Sequence, residues 1–169
     1  MADLTGLRAP EPLLASHDLT GFDCGEPSLD DWLRRRALTN QDRGATRTFV
    51  VCQQNAVIAY YALAAGAIRS ADAPGRLRRN MPEPIPLIVL ARLAVDRGSQ
   101  GMGLGRALIG DLAARSSQAA SLIGIRGIVV QAISESARTF YLAQGFVPSV
   151  FDPMMLLITL ADIRMAGGS

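Results

Sequence analysis

An apolar run over residues 86–95 breaks at Asp96, Arg97, Gly98 and Ser99, and the chain then alternates glycine through Gln100-Gly101-Met102-Gly103-Leu104-Gly105-Arg106. Ala107, Leu108, Ile109 and Leu112 follow. Run, loop and periodic segment read as strand, tight turn and helix. Leu104, Leu108 and Leu112 recur every four residues, which buries one helix face and leaves Arg106, Asp111 and Arg115 to water. The glycines therefore sit at a helix N-terminus, where the first N–H groups lack internal acceptors and the dipole adds partial positive charge. Gly101, Gly103 and Gly105 present no Cβ and tolerate positive φ, so successive amides can converge on a phosphate. A tight strand-to-helix turn with no ligand would use the same residues.

Spacing separates the phosphate-binding loops. A P-loop needs Lys followed by Ser or Thr after its last glycine, and the chain contains no Lys. A dinucleotide fingerprint starting at Gly101 and Gly103 needs a third small residue where Arg106 stands; starting at Gly103 and Gly105 it needs one at Leu108. What remains is Gln/Arg-x-x-Gly-x-Gly/Ala, here Gln100-x-x-Gly103-x-Gly105, after the strand Ala91-Arg92-Leu93-Ala94-Val95.

The rest of the chain alternates strand and helix signals. Leu13, Leu14 and Ala15 suggest a short first strand, a loop covers residues 19–26, and His17, the single histidine, has no evident partner. Pro27 and Ser28 open a helix that Ser28 can cap; Leu29, Trp32, Leu33 and Ala37 form its apolar stripe, and it should stop near Gly44. Residues 46–52 and 57–68 flank Gln53, Gln54 and Asn55 as a hairpin. Residues 69–83, rich in Arg, Pro and Ala, read as a mobile loop, and residues 116–121 follow the glycine-loop helix. Residues 125–132 read as a strand, and Ser134 caps a short helix that Gly145 stops. Residues 154–160 make a final strand before a frayed tail over 161–169. The sum is a mixed α/β chain in a single domain, with a largely antiparallel sheet before the central strand.

All 17 basic residues are Arg, and their distribution is uneven although the net charge is only +2. Between Arg34 and Arg97 stand 11 arginines against four acids, Asp42, Asp72, Glu83 and Asp96. Arg suits planar, bidentate phosphate contacts, so a nucleic-acid partner is one reading; solvated faces in a Lys-free chain are the other. The longest uncharged apolar run, residues 56–68, is too short to cross a bilayer, and the chain reads as cytoplasmic, with no membrane partner. Cys24 and Cys52 lack metal-ligand spacing and read as buried thiols; no metal site is expected.

The glycine loop resembles the acetyl-coenzyme A (acetyl-CoA) motif of the GNAT superfamily of N-acetyltransferases. A second segment, Ala137-Arg138-Thr139-Phe140-Tyr141-Leu142-Ala143-Gln144-Gly145-Phe146, resembles the GNAT pattern Ala-x-x-Phe/Leu-Tyr-x-x-x-Gly-Phe in the expected order. Phe22-Asp23-Cys24-Gly25, Leu29-Asp30-x-Trp32-Leu33, Gly44-Ala45-Thr46-Arg47-Thr48-Phe49-Val50 and Arg92-Leu93-Ala94-Val95-Asp96 narrow the resemblance to the GNAT toxins of bacterial toxin–antitoxin pairs. It covers residues 13–160.

The resemblance implies a GNAT fold whose mostly antiparallel sheet is splayed at the acetyl-CoA site and flanked by helices. Backbone near Leu93, Ala94 and Val95 would hold the cofactor, Gln100, Gly101, Met102, Gly103, Leu104, Gly105 and Arg106 would cradle its pyrophosphate, and Ser134 and Phe140 would add contacts. Tyr141 would be the general acid. No general base stands out, with Asp96 and Glu83 unassigned, which favours an α-amine acceptor: its reference pKa is about 7.7–8, against about 10.4 for Lys. The toxin relatives acetylate aminoacyl-tRNA and block translation. Arg34, Arg35, Arg36, Arg43, Arg47, Arg76, Arg78, Arg79 and Arg92 are the candidates for holding tRNA, although some could instead meet an antitoxin. Such antitoxins are small ribbon-helix-helix DNA-binding proteins that bring the pair to operator DNA. A homodimer is implied as well. A housekeeping N-acetyltransferase of protein N-termini or small amines, and a non-catalytic CoA-binding scaffold, remain alternatives.

Overall fold

The computed structural model describes residues 7–167 of the chain. Seven strands are hydrogen-bonded in the order β1-β2-β3-β4-β5-β7-β6. β1 (Glu11–Pro12), β2 (Arg47–Gln53) and β3 (Ala56–Ile68) pair antiparallel, with a two-residue turn, Gln54-Asn55, closing the expected hairpin. β4 (Ile85–Val95) pairs in parallel with β5 (Gly127–Gln131) over Leu87–Leu90. β7 (Met155–Thr159) lies antiparallel to β5, and β6 (Val147–Pro148) antiparallel to β7. The mixed α/β reading and the antiparallel arrangement ahead of the central strand are both present. Strand β6, two residues long, has no signal in the sequence reading.

The chain forms two compact units, residues 7–64 with 91–108 and residues 65–90 with 109–167. In the first, α1 (Pro27–Arg35) lays Leu29 and Leu33 against Leu13, Phe22, Tyr60 and Ala94. The Tyr60 hydroxyl donates to the Leu29 carbonyl at 2.7 Å, and its ring stacks on Trp32. In the second, Ile85, Leu87 and Leu157 from the sheet pack with Ala73 and Leu77. α4 (Leu104–Ala120) runs through both, burying Leu104, Leu108 and Leu112 as their spacing requires. Arg106 is exposed, whereas Asp111 and Arg115 are half-buried and paired with each other at 2.9 Å.

Several local expectations are corrected. The first strand is Glu11–Pro12, not residues 13–15. Pro12 has no N–H to give, which limits an edge strand to a short pairing, and Leu13 carries the last bond, donating to Thr48 O at 2.9 Å before a turn. Ser28 does not cap α1. Glu26 is the N-cap, Pro27 occupies the first turn where no donor is needed, and the Glu26 carbonyl receives the Leu29 and Asp30 amides. The helix expected to continue to Gly44 breaks at Arg36, whose φ of −121° interrupts it, and resumes as α2 (Ala37–Asp42); Gly44, at φ +78°, ends it.

Residues 69–83 are not an irregular loop. They contain a 3₁₀ turn, Ser70–Asp72, and α3 (Gly75–Arg78), held because Ala73 and Leu77 are buried and the Glu83 carboxylate accepts the Ser70 amide. α4 continues through residues 116–120, with Ser116 buried. The end of the chain is helical over α6 (Leu160–Gly167), anchored by buried Leu160 and Ile163, where a frayed tail was expected; Gly168 and Ser169 lie outside the described residues. His17 has partners. Its Nδ1 accepts the Leu14 amide at 2.9 Å, so Nε2 carries the proton and donates to Glu11 at 3.1 Å. Cys24 and Cys52 are half-buried rather than fully buried. Among the described residues no helix is long and apolar enough to cross a membrane.

Candidate active site

The first unit supplies an array of backbone amides. Asp96 N–H donates to Ile58 O of β3 at 2.8 Å, and the adjacent Val95 faces the opposite edge of β4, where its carbonyl accepts from the Gln100 side chain. Asp96 then closes the 3₁₀ turn Arg97–Ser99: one carboxylate oxygen accepts Gly98 N–H at 3.0 Å and the other accepts Asp23 N–H at 2.9 Å. Gln100 follows, its Nε2 donating to Val95 O at 2.8 Å and to Cys24 O at 3.0 Å. Gly101 and Gly103 both adopt left-handed φ, +80° and +84°, with open space where a Cβ would stand. Only glycine adopts that pair of conformations cheaply.

The first helical bond of α4 runs from Ala107 N–H to Gly103 O at 3.0 Å, so the Leu104 and Gly105 amides precede any helical acceptor. An amide array beside two exposed glycines at a 17-residue helix N-terminus fits a pyrophosphate. The side chains of Ala94 and Leu104 are buried in the core, and the Gln100 amide is already engaged. For these three positions only the backbone is available to a cofactor.

The second unit carries a buried phenol. α5 (Glu135–Ala143) starts at Ser134, whose Oγ accepts the Ala137 amide at 3.1 Å, and Gly145 at φ +100° ends it, as the sequence indicates. Tyr141 is 5% exposed, its ring 5.2 Å from that of Phe140 and 5.5 Å from that of Phe146. Burial pushes its phenol above the ordinary pKa, and among the described residues the hydroxyl has no hydrogen-bond partner. A protonated O–H held by packing alone can donate to a reacting atom. Phe140, next to it in sequence, and Ser134, at the start of α5, are half-buried, and the Ser134 oxygen is occupied as a helix cap.

Residues 44–148 match the acetyltransferase (GNAT) domain family. The chain belongs to that family. It is 49% identical over 161 residues to a tRNA-acetylating toxin of Mycobacterium tuberculosis, covering 95% of this chain and 97% of the relative. Among solved structures it is similar to AtaT in complex with acetyl-methionyl-tRNAfMet, with a TM-score of 0.87, 30% identity and coverage of 94% and 98% of the two chains. It is also similar to AtaTR bound with acetyl-CoA, with a TM-score of 0.83, 31% identity and coverage of 94% and 96%. A DNA complex of KacTA gives a TM-score of 0.78 at 29% identity, covering 94% and 96%.

In this GNAT chain the two carboxylates left unassigned by sequence have structural work. Asp96 accepts two backbone amides and Glu83 accepts the Ser70 amide. The arginines divide between the units. In the first, Arg34 donates to Phe22 O at 2.7 Å, Arg35, Arg36, Arg43 and Arg47 are exposed, and Arg92 lies 5.1 Å from the Trp32 ring centre while donating to Ala91 O. In the second, Arg76 pairs with Asp162, and Arg78 and Arg79 are exposed. Sequence reasoning passed over Arg126 and Arg164, which join Arg76 and Arg79 in lining one cavity. Nothing local marks them, since they come from different elements far apart in the chain.

Proposed function

We propose that this GNAT acetyltransferase is a toxin that transfers acetyl from acetyl-CoA to the α-amine of aminoacyl-tRNA and so blocks translation. The observation that carries the reading is the likeness, nearly end to end, to a relative named for tRNA acetylation. The neighbours solved with acetyl-methionyl-tRNA, acetyl-CoA and DNA support the same classes of substrate, donor and partner. A ribbon-helix-helix antitoxin that contacts operator DNA, a cytoplasmic location and a homodimer belong to this reading.

Acetyl-CoA, when bound, supplies the acetyl group as a thioester. The Leu93 and Val95 amides and the loop from Gln100 to Arg106 would hold it, and Ser134 and Phe140 would add contacts. Tyr141 keeps its proton through the working pH range and releases it to the departing sulfur. The acceptor nitrogen forms the new bond to the acetyl carbon as the carbon–sulfur bond breaks, and its surplus proton passes to water. An α-amine, about half neutral near pH 8, needs no strong base, which agrees with Asp96 and Glu83 being engaged elsewhere. The exposed arginines of both units, together with Arg76 and Arg92, offer phosphate contacts.

The test is transfer of labelled acetyl from acetyl-CoA to a bulk pool of charged tRNA, with uncharged tRNA as control. Label on charged tRNA alone is the expected result. Absence of label with acetyl-CoA still bound would redirect the reading to a protein N-terminus or a small amine.

A further inference from the structure

A cavity of about 460 Å³ opens in the second unit between α3, the end of α4, the approach to β5 and the start of α6, and four arginines line it: Arg76, Arg79, Arg126 and Arg164. Two of these are fixed. Arg126 donates from Nε to Leu77 O and from Nη2 to Arg76 O, both at 2.9 Å, so its guanidinium is clamped against the α3 backbone. Arg76 makes a two-point pair with Asp162 at 2.6 and 2.7 Å, and that pairing holds the Asp162 carboxyl below its usual pKa.

The other two are uncommitted. Arg79 and Arg164 are exposed and make no side-chain hydrogen bond or ion pair among the described residues. Asp162, beside the cavity, offsets one of the four positive charges. Thr159 also lines the wall; its Oγ1 accepts the Asp162 amide at 3.2 Å, which leaves the hydroxyl proton available to an oxygen anion.

We propose that this cavity is a phosphate-binding subsite for the RNA backbone, with Arg79 and Arg164 as the contacting side chains and Arg76 and Arg126 as its fixed wall. It rests on the reading of tRNA as substrate and names where, in the second unit, one of its phosphodiesters is held. Arginine forks match phosphate oxygens in pairs. An open cavity suits a phosphate carried on the outside of a helix, which can be laid in from solvent without threading a chain end. Fixed guanidiniums shape such a site without losing conformational freedom on binding, and mobile ones close on the ligand.

The experiment uses the full chain and fluorescent uncharged tRNA, with affinity measured across a salt series for the wild type and for Arg79→Gln combined with Arg164→Gln. Both residues are exposed and unpaired, so the variant folds. Its affinity should fall about tenfold at low salt and the slope of log K against log salt should shrink by about 1–2, while acetyl-CoA binding stays unchanged. With charged tRNA, KM should rise at nearly constant kcat, and the double Lys variant should recover most of the salt slope. Unchanged RNA affinity and slope in the Gln variant overturn the subsite. Loss of binding to an acidic antitoxin peptide without loss of RNA binding overturns it too, assigning the cavity to a protein partner. Absence of tRNA binding by the wild type removes both the subsite and the tRNA reading, whereas binding that the variant leaves intact removes the subsite alone.

Discussion

The Gln100 side chain fastens the glycine loop to the last residue of β4, its Nε2 donating to the Val95 carbonyl at 2.8 Å. The same nitrogen donates to Cys24 O at 3.0 Å. Both amide hydrogens are thereby spent on backbone of the first unit. In the motif this Gln reads as a cofactor contact, yet its side chain acts as a brace that sets where the following amides point.

Replacing Gln100 tests the brace. Gln100→Ala removes two partly exposed hydrogen bonds and should lower unfolding stability by about 1 kcal/mol, with acetyl-CoA affinity falling several-fold as the loop loosens. Gln100→Glu should be worse, because it sets a carboxylate against two carbonyl oxygens and leaves neither with a donor. Calorimetric titration of acetyl-CoA and urea unfolding give the two numbers, and a Glu variant that binds as well as the wild type would contradict the assigned contacts.

Tyr141→Phe should lower kcat by roughly 10²–10⁴, the usual range for loss of a positioned acid, while acetyl-CoA still binds and the melting temperature barely moves. The stability expectation follows from a hydroxyl that has no hydrogen-bond partner among the described residues to lose. The pH profile has a defined sign. Burial raises the Tyr141 pKa above the ordinary phenol value near 10, so the acid stays protonated, and wild-type activity should show no basic fall from this group below about pH 10. A drop between pH 8 and 10, missing in a variant that retains residual activity, would assign Tyr141 a lower pKa than its burial allows.

The parts legible in the sequence are those whose cause is local. Alternating glycines, a four-residue leucine repeat and Ser134 ahead of a helix each act within a few residues, and the structure has the loop, the helix and the cap. What was hidden depends on distant partners. Residues 69–83 read as a loop because burial of Ala73 and Leu77 is decided by Ile85, Leu87 and Leu157, not by their own neighbours. Arg126 reads as one more residue of a strand until the fold sets it against carbonyls some 50 positions earlier. His17 looked unpartnered because Glu11 reaches it only after the 14–17 turn forms.

Cys24 should be a sluggish thiol. Burial first, and then its contact with Asp30, push its pKa up to about 11, so at pH 8 its thiolate fraction is about a hundredfold below that of a thiol with a pKa near 9. Alkylation by iodoacetamide at pH 8 should be slower by a comparable factor. The linkage runs in one direction: the folded pKa lies above the unfolded one, so the native state keeps its proton longer, and stability intact below about pH 9 declines as pH rises through 11. Cys24→Ser should flatten that decline, which urea unfolding between pH 8 and 11 would register.

Two glycines in the second unit should respond unequally to alanine. At Gly127, opposite Thr159 in the β5–β7 pairing, an added Cβ would collide with the Ile158 carbonyl oxygen and press on Leu77 Cδ1 at 3.2 Å. Backbone held in a ladder has nowhere to go. At Gly66 the nearest atom is Val89 Cγ2 at 2.5 Å, the end of a side chain that can change rotamer. Neither glycine has a positive φ, so the difference is steric rather than conformational. Gly127→Ala should cost about 3 kcal/mol or more, or prevent folding, whereas Gly66→Ala should cost about 1–2 kcal/mol. Urea midpoints for the two variants decide the order; equal losses would mean that the strands separate at Gly127 more easily than their hydrogen bonding implies.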